Sequence, residues 1–127
     1  MIEINNLTKK KIDTDFLKKI GQNILKKEKR NGLEISGALV GQSRIKEINK
    51  KYRRNNKPTD VLSFFYGDSG EIIICLDMVK RGEEELARVF IHGLLHILGY
   101  DHEKTQKEAK IMQGKENYYL SQEYGKK

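Results

Sequence analysis

Cysteine, proline and tryptophan are almost missing from the 127-residue sequence, which has one cysteine, one proline and no tryptophan. With Cys75 alone, no disulfide can form within the chain. Cys75 stands in the apolar segment EIIICL, which predicts a buried and inert strand residue. A catalytic thiol is disfavoured because no neighbouring basic group would stabilise the thiolate.

Long apolar runs are missing as well, since no stretch approaches the length of about 20 residues that a membrane-spanning helix needs. The N-terminal segment MIEINNLTKK has no apolar centre of the kind found in signal peptides. We therefore expect a soluble, cytoplasmic protein without membrane association. The length suits one domain with an ordinary core, and we expect residues 1–127 to form that single domain.

The net charge of +7 is placed unevenly along the sequence. Residues 1–57 hold 16 basic and 6 acidic side chains, whereas residues 58–127 hold 9 and 12. The densest basic stretch runs from Arg44 to Lys57 and contains a single acid, Glu47. Such asymmetry is typical of a polyanionic partner, with nucleic acid ahead of membrane, but also of a solvated lysine-rich surface. Charge alone favours neither interpretation.

Apolar periodicity predicts four strands and four helices. We expect strands at 1–7, 33–40, 61–65 and 71–75, and helices at 14–30, 43–52, 83–98 and 104–119. Ser43 is the predicted N-cap of the second helix, and Ile111, Met112 and Tyr119 are expected to pack the last helix against the core. Helices between the early strands predict parallel pairing, and the short link YGDSG predicts an antiparallel hairpin. The predicted class is α+β, with a small mixed sheet of about four strands packed with helices.

All three histidines of the chain lie in one segment, HGLLHILGYDH: His92, His96 and His102. A spacing of four places the first two rings on the same face of a helix. Gly99 predicts a left-handed C-cap that would turn the chain back and bring the third ring to that face. Three neutral imidazoles leave the fourth position of a tetrahedral Zn2+ open to water, which is typical of a catalytic site.

The alternative is that the histidines are ordinary core residues, each satisfied by a hydrogen bond. Between Ala87 and Leu98 the only polar side chains are Arg88 and two histidines, which predicts a buried helix. Burying two imidazoles without hydrogen-bond partners would lower the stability of the fold, and a shared metal ion would give both rings a partner. Gly93 costs about 1 kcal/mol relative to alanine in mid-helix, which indicates a packing or access requirement.

The histidines also match the zinc pattern H-E-x-x-H-x-x-G-x-x-H of metzincin proteases, with one departure. Gly93 occupies the position of the glutamate that serves those enzymes as general base, so ordinary peptidase chemistry lacks its proton acceptor. Attack of a metal-bound water on a phosphodiester is compatible with this change. Arg53 or Arg54 could stabilise the charge that develops on phosphoryl oxygens, and the residues alone do not choose between the two.

The segment YRRNNKPTDVLSF, together with GEIIIC and HGLLHILGYDH, resembles the YbeY family of bacterial metal-dependent endoribonucleases and ribosomal RNA maturation factors. The resemblance covers about residues 45–120. It implies a zincin-like fold, a histidine-lined cleft, cleavage of single-stranded RNA, and a role in small-subunit ribosomal RNA processing and ribosome quality control. The arginine of the family's Y-R motif falls on Arg53. The family's metal ligands fall on His92, His96 and His102.

Two positions depart from the family pattern. Phe65 stands where the family usually has proline, and Glu71 where aspartate is common. The loop over residues 66–70 is also shorter than in most members. We expect these changes at the rim of the cleft, away from the metal ligands.

Three hypotheses follow for the function. The first is an RNA-cleaving metalloenzyme, and the second is a metallopeptidase-like hydrolase with an unusual base, which Gly93 disfavours. The third is a ribosome-assembly module that binds RNA around a structural zinc. It is disfavoured because structural zinc normally has four protein ligands, usually including cysteine, although Asp101 could supply a fourth ligand or merely cap its turn. We expect one Zn2+ per chain, with Ni2+ or another transition metal as alternatives. The expected partners of the monomer are single-stranded RNA and the small ribosomal subunit.

Overall fold

The computed structural model describes residues 1–54 and 59–124. In chain order the elements are β1 (Ile2–Asn6), α1 (Asp15–Lys27), β2 (Glu34–Val40), α2 (Gln42–Arg53), β3 (Val61–Phe65), β4 (Ser69–Cys75), α3 (Glu83–Ile97) and α4 (Gln106–Tyr124). A short 3-10 turn, Leu76–Met78, follows β4. The four predicted strands and four predicted helices are confirmed, although α4 begins two residues later and ends five residues later than predicted. The last three residues of the basic stretch 44–57 lie outside the described part of the chain.

The four strands form one mixed sheet in the order β1-β2-β4-β3. β1 and β2 pair in parallel, with Ile2 opposite Ile35, and β2 pairs in parallel with β4. β3 runs antiparallel to β4 through a tight turn in which Gly67 has a φ of 95°. This positive φ favours glycine. The predicted parallel pairing, the hairpin and the α+β class are therefore confirmed.

Helices cover both faces of the sheet, but unequally. On one face α1, α3 and α4 enclose the larger core, to which β4 contributes Ile72 and Ile74. On the other face α2 packs through Ile45 against a smaller cluster that includes Ile73 and Cys75. β4 is thus apolar on both faces because both are covered, which explains its continuous apolar run. The prediction of a buried Cys75 is confirmed.

Two predictions at helix surfaces are wrong. α2 begins at Gln42, and its first amide donates to Asp77 Oδ2 at 2.8 Å, so Ser43 is not the N-cap. In α4 Met112 is buried as expected, but Ile111 is 45% exposed. Adjacent residues of a helix point about 100° apart, and the orientation of α4 directs Met112 to the core and leaves Ile111 toward solvent.

None of the helices in the described residues combines the length and the apolar character that crossing a bilayer requires.

Candidate metal centre and cleft

His92 and His96 project from the same face of α3, one turn apart. α3 is held against the sheet and α4 by an almost entirely buried set of apolar side chains, so the positions of both rings are fixed by the core. Their Nε2 atoms lie 3.2 Å apart, and the ring planes are inclined at 78° with centroids 4.7 Å apart. Both rings are half-buried at the edge of the core.

His102 reaches the same place because the chain turns back after α3. Gly99 adopts a φ of 103°, and its amide donates to the His96 carbonyl at 3.0 Å. The Tyr100 amide bonds the Leu95 carbonyl at 3.0 Å, which completes a glycine-based C-cap. The His102 ring centroid lies 5.1 Å from that of His92 and 4.9 Å from that of His96. The predicted left-handed C-cap and the convergence of the three rings are confirmed.

The three side chains have the chemistry and spacing of a metal site. One ring nitrogen from each can be chosen so that all three lie within 4.8 Å of one another. Two nitrogens that bind one tetrahedral zinc at about 2.0 Å lie roughly 3.3 Å apart, close to the spacing of the two Nε2 atoms. Burial lowers the pKa of the His96 ring, and the nearby His92 and His102 lower it further. The charge of Asp101 and a hydrogen bond to the Tyr100 backbone oppose this change but do not reverse it. The lowered pKa favours the neutral form of His96, which is the form that binds metals.

A residue that the sequence did not predict, Glu116, orients one of these rings. Glu116 Oε2 lies 2.9 Å from Nδ1 of His92, and only 13% of the glutamate side chain is exposed. Glu116 lies on the face of α4 that also carries the buried Met112 and Leu120. The sequence holds one signal of a buried role for Glu116: it is an acidic residue placed four residues from each of two apolar residues on the same helix face.

Asp101, the candidate fourth ligand, has another structural role. Its Oδ1 accepts a hydrogen bond from the Glu103 amide at 2.8 Å and so caps the turn that contains His102. Among residues 1–54 and 59–124, the three histidines form the one group of side chains spaced closely enough to bind a metal ion together. Within these described residues the cluster therefore offers three side-chain ligands to a metal ion.

The histidines lie in a cleft of about 570 Å³ between α3 and the edge strand β3. Asp60, Asp101 and Glu103 contribute carboxylates to its walls, and Ser63 and Phe65 contribute the β3 side. Phe65 is half exposed, which confirms its predicted place at the rim. Glu71 does not line this cleft. It accepts a hydrogen bond from the Tyr66 hydroxyl at 3.1 Å and borders grooves elsewhere, so its predicted place at the rim is wrong.

Arg53 lines the cleft, and its neighbour Arg54 does not. Arg53 is the last residue of α2 rather than part of a loop. Its Nη2 donates to the Ser63 carbonyl at 2.5 Å, and its guanidinium lies 4.8 Å from the centroid of the Phe64 ring. These two contacts direct the guanidinium across the edge of β3. Arg54 has a left-handed φ of 55° that ends the helix, and its side chain is exposed.

Gly93 faces the sheet and not the histidines. A Cβ at this position would lie 3.0 Å from Ile72 Cγ2 and 3.1 Å from Val61 Cγ2, which is closer than ordinary van der Waals contact. The predicted packing requirement is confirmed: α3 approaches β3 and β4 closely because no side chain intervenes. A glutamate at this position would therefore disturb the packing of α3 on the sheet and bury a charge. It would not point at a ligand in the cleft.

Fold and cluster together define a class, namely a small α+β domain whose buried helix presents three histidines to an open cleft. The chain belongs to the family described as Endoribonuclease YbeY, whose model matches residues 3–123. The resemblance recognised over the middle and end of the sequence thus extends over almost the whole chain.

Individual relatives agree with this assignment. A protein of Sulfurihydrogenibium sp. (strain YO3AOP1), named Endoribonuclease YbeY, is 42% identical over 119 residues, which cover 81% of this chain and 78% of the relative. A protein of the same name from Aquifex aeolicus (strain VF5) is 38% identical over 130 residues, covering 91% and 87%. The solution structure of a protein from Thermotoga maritima matches with a TM-score of 0.71 at 35% identity, over 99% of this chain and 91% of that one.

Proposed function

We propose that this protein is a metal-dependent endoribonuclease that hydrolyses phosphodiester bonds of single-stranded RNA. The observation that carries the proposal is the convergence of three histidines with Arg53 in one open cleft, in a chain that belongs to a family named for endoribonuclease activity. The biological substrate in this proposal is small-subunit ribosomal RNA, and the role is its maturation and ribosome quality control. The acting unit is a cytoplasmic monomer, with residues 1–127 as one domain.

His92, His96 and His102 are the proposed metal ligands, with one Zn2+ per chain and Ni2+ or another transition metal as alternatives. An ion of this kind supplies Lewis acidity for a phosphoryl oxygen and lowers the pKa of water. The protein contributes two ring nitrogens fixed on the buried helix α3 and a third from the turn that follows it. It also contributes carboxylates in the cleft, at Asp60 and Glu103, that could accept a proton.

Arg53 is the proposed catalytic side chain for charge stabilisation. A guanidinium carries five N–H donors, so the bond to Ser63 leaves donors for a phosphate. The contacts with Ser63 and Phe64 restrict the side chain to the edge of the cleft, which reduces the entropy lost on binding substrate. Donors oriented in advance toward developing charge are the most effective stabilisers of a transition state.

The two competing functions have less support. A structural zinc normally has four protein ligands in a closed site, whereas these three histidines open onto a large cleft and Asp101 caps a turn. A peptidase would need a base at the position of Gly93, which packs against the sheet. The basic character of the first half of the chain also suits RNA better than peptides.

The experiment that tests the proposed function compares substrates under defined metal content. Metal-stripped and zinc-reconstituted protein would be incubated with labelled single-stranded RNA, duplex RNA of the same sequence, and casein. We expect the reconstituted protein alone to cleave RNA, with single strands preferred, and neither form to digest casein. Metal-dependent proteolysis, or RNA cleavage that survives complete metal removal, would contradict the proposal.

A further inference from the structure

Glu116 and His92 form a contact that joins two helices at the edge of the histidine cluster. Glu116 lies on α4, 24 residues after His92 on α3, and its Oε2 is 2.9 Å from Nδ1 of that ring. The glutamate side chain is 13% exposed, so the contact is mostly shielded from water. Arg88, one turn before His92 on α3, places Nη1 3.7 Å from the other carboxylate oxygen. The carboxylate therefore has a partner on each oxygen.

This contact determines which ring nitrogen of His92 is available to a ligand. A neutral imidazole carries its proton on one nitrogen and a lone pair on the other. A carboxylate can only accept, so the nitrogen that faces Glu116 is the one that holds the proton. The lone pair is then on Nε2, which is the atom 3.2 Å from Nε2 of His96.

We propose that Glu116 is a positioning residue that fixes the orientation and tautomer of His92 and thereby sets the affinity of the three-histidine centre for its metal. The inference rests on the proposed metal site and does not depend on the RNA substrate. Carboxylates that accept from the distal nitrogen of a metal-binding histidine fix the ring and raise its basicity, and their removal typically lowers metal affinity about 10- to 100-fold.

A purely structural bridge between α3 and α4 would behave differently. Loss of such a bridge would lower stability in the same way with and without metal, and would leave the tautomer of His92 unchanged. The contact with Arg88 offers little additional stability, because its 3.7 Å separation is long and Arg88 is 45% exposed. The metal affinity and the tautomer are therefore the two readouts that separate the roles.

The test measures zinc affinity by competition with a chromophoric chelator, in wild type, Glu116→Ala and Glu116→Gln. We expect the dissociation constant of Glu116→Ala to rise about 10- to 100-fold. Glutamine keeps a side-chain oxygen that can accept from Nδ1–H, so Glu116→Gln should regain most of the loss. If Glu116→Ala does not fold, Glu116→Gln still tests the inference, with a smaller rise expected because its acceptor is neutral.

Glu123→Ala and Glu123→Gln are the matched controls, since Glu123 lies on the same helix with an exposed side chain. They remove the same charge and should leave the affinity unchanged. Nitrogen chemical shifts of the histidines in metal-free protein provide the second readout: wild type should show His92 protonated on Nδ1, and Glu116→Ala should lose that preference.

Equal zinc affinity in wild type and both Glu116 variants would overturn the inference while leaving the metal site intact. An Nε2-protonated His92 in metal-free wild type would overturn it as well. A wild type that binds no metal would overturn the proposed site and this inference together, and the two failures are thereby distinguished.

Discussion

Tyr100 donates its hydroxyl hydrogen bond to Glu28 Oε1 at 2.6 Å and so ties the turn before His102 to the end of α1. The other oxygen of Glu28 accepts from the Tyr119 hydroxyl and from Lys115 Nζ, both on α4. One carboxylate thus joins α1, α4 and the turn that carries His102. Glu28 itself does not line the cleft, so a contact outside the cleft helps to hold the turn that carries His102.

Glu28 predicts a dependence of stability on pH. Burial raises the pKa of Glu28, but hydrogen bonds from Tyr100, Tyr119 and Lys115 outweigh it, so the pKa is lowered from its ordinary value of 4.5. A carboxyl group with a lower pKa in the folded state stabilises the fold above its unfolded-state pKa and loses that contribution as the pH falls through the folded-state value. We expect Glu28→Gln to lower the free energy of unfolding by about 1–3 kcal/mol at pH 7.

Denaturant titrations across pH check this expectation. The difference between wild type and Glu28→Gln should shrink progressively below about pH 4.5. Glu47→Gln, an exposed glutamate on α2, is the control and should change stability by less than about 0.5 kcal/mol. A difference between wild type and Glu28→Gln that stays constant from pH 7 to pH 3 would show that the charge of Glu28 contributes nothing.

Arg53 should matter more for turnover than for stability. Arg53→Ala removes an exposed hydrogen bond to Ser63 and a contact with Phe64, so the stability should fall by about 1 kcal/mol or less. The rate of RNA cleavage should fall about 100-fold, the scale of losing one electrostatic stabiliser. Both rates are measured at saturating RNA, and Arg54→Ala is the matched control because Arg54 has the same charge, is adjacent, and does not line the cleft. If Arg53→Ala cleaved RNA at the wild-type rate while Arg54→Ala was inactive, the stabilisation of phosphate charge would belong to Arg54.

RNA binding should depend steeply on salt through the basic surface of α2. Lys50, Lys51 and Arg54 are exposed there, and each phosphate that they neutralise releases condensed counterions. Replacing all three with glutamine should weaken binding of single-stranded RNA and reduce the slope of log affinity against log salt by about 2 units, at roughly 0.7 per contact on a single strand.

The control for this prediction removes the same charge elsewhere in the basic half of the chain. Lys19, Lys26 and Lys29 are exposed on and just after α1, which packs on the opposite face of the sheet from α2. Their replacement should reduce the slope less. A slope of log affinity against log salt that is near zero in wild type would refute a binding surface on α2. Equal slopes in the two triple variants would refute it as well.

The sequence was sufficient to predict those helices and strands whose apolar residues recur with a clear period. Alternation and helical stripes predicted the strands and helices, and the spacing of His92 and His96 with Gly99 predicted the cluster, because these are local consequences of backbone geometry. Errors arose where a distant residue decides the outcome. Asp77 caps α2 from 35 residues away, and Glu116 meets His92 only because α3 packs against α4. The Asp77 contact leaves no local pattern, and the one sequence signal of Glu116 is its spacing from the apolar residues Met112 and Leu120 of α4.

Metal stoichiometry measured together with RNA cleavage tests the central claim most directly. Metal-free protein would be titrated with Zn2+, with bound metal measured by elemental analysis and the cleavage rate measured on the same samples. We expect wild type to saturate at one ion per chain, with cleavage rising in proportion, and His96→Ala to neither bind the ion stoichiometrically nor cleave. Asp101→Asn, which keeps an oxygen to accept from the Glu103 amide, should still bind one ion. Full retention of the ion by His96→Ala, or cleavage by wild type that is independent of bound metal, would contradict the account.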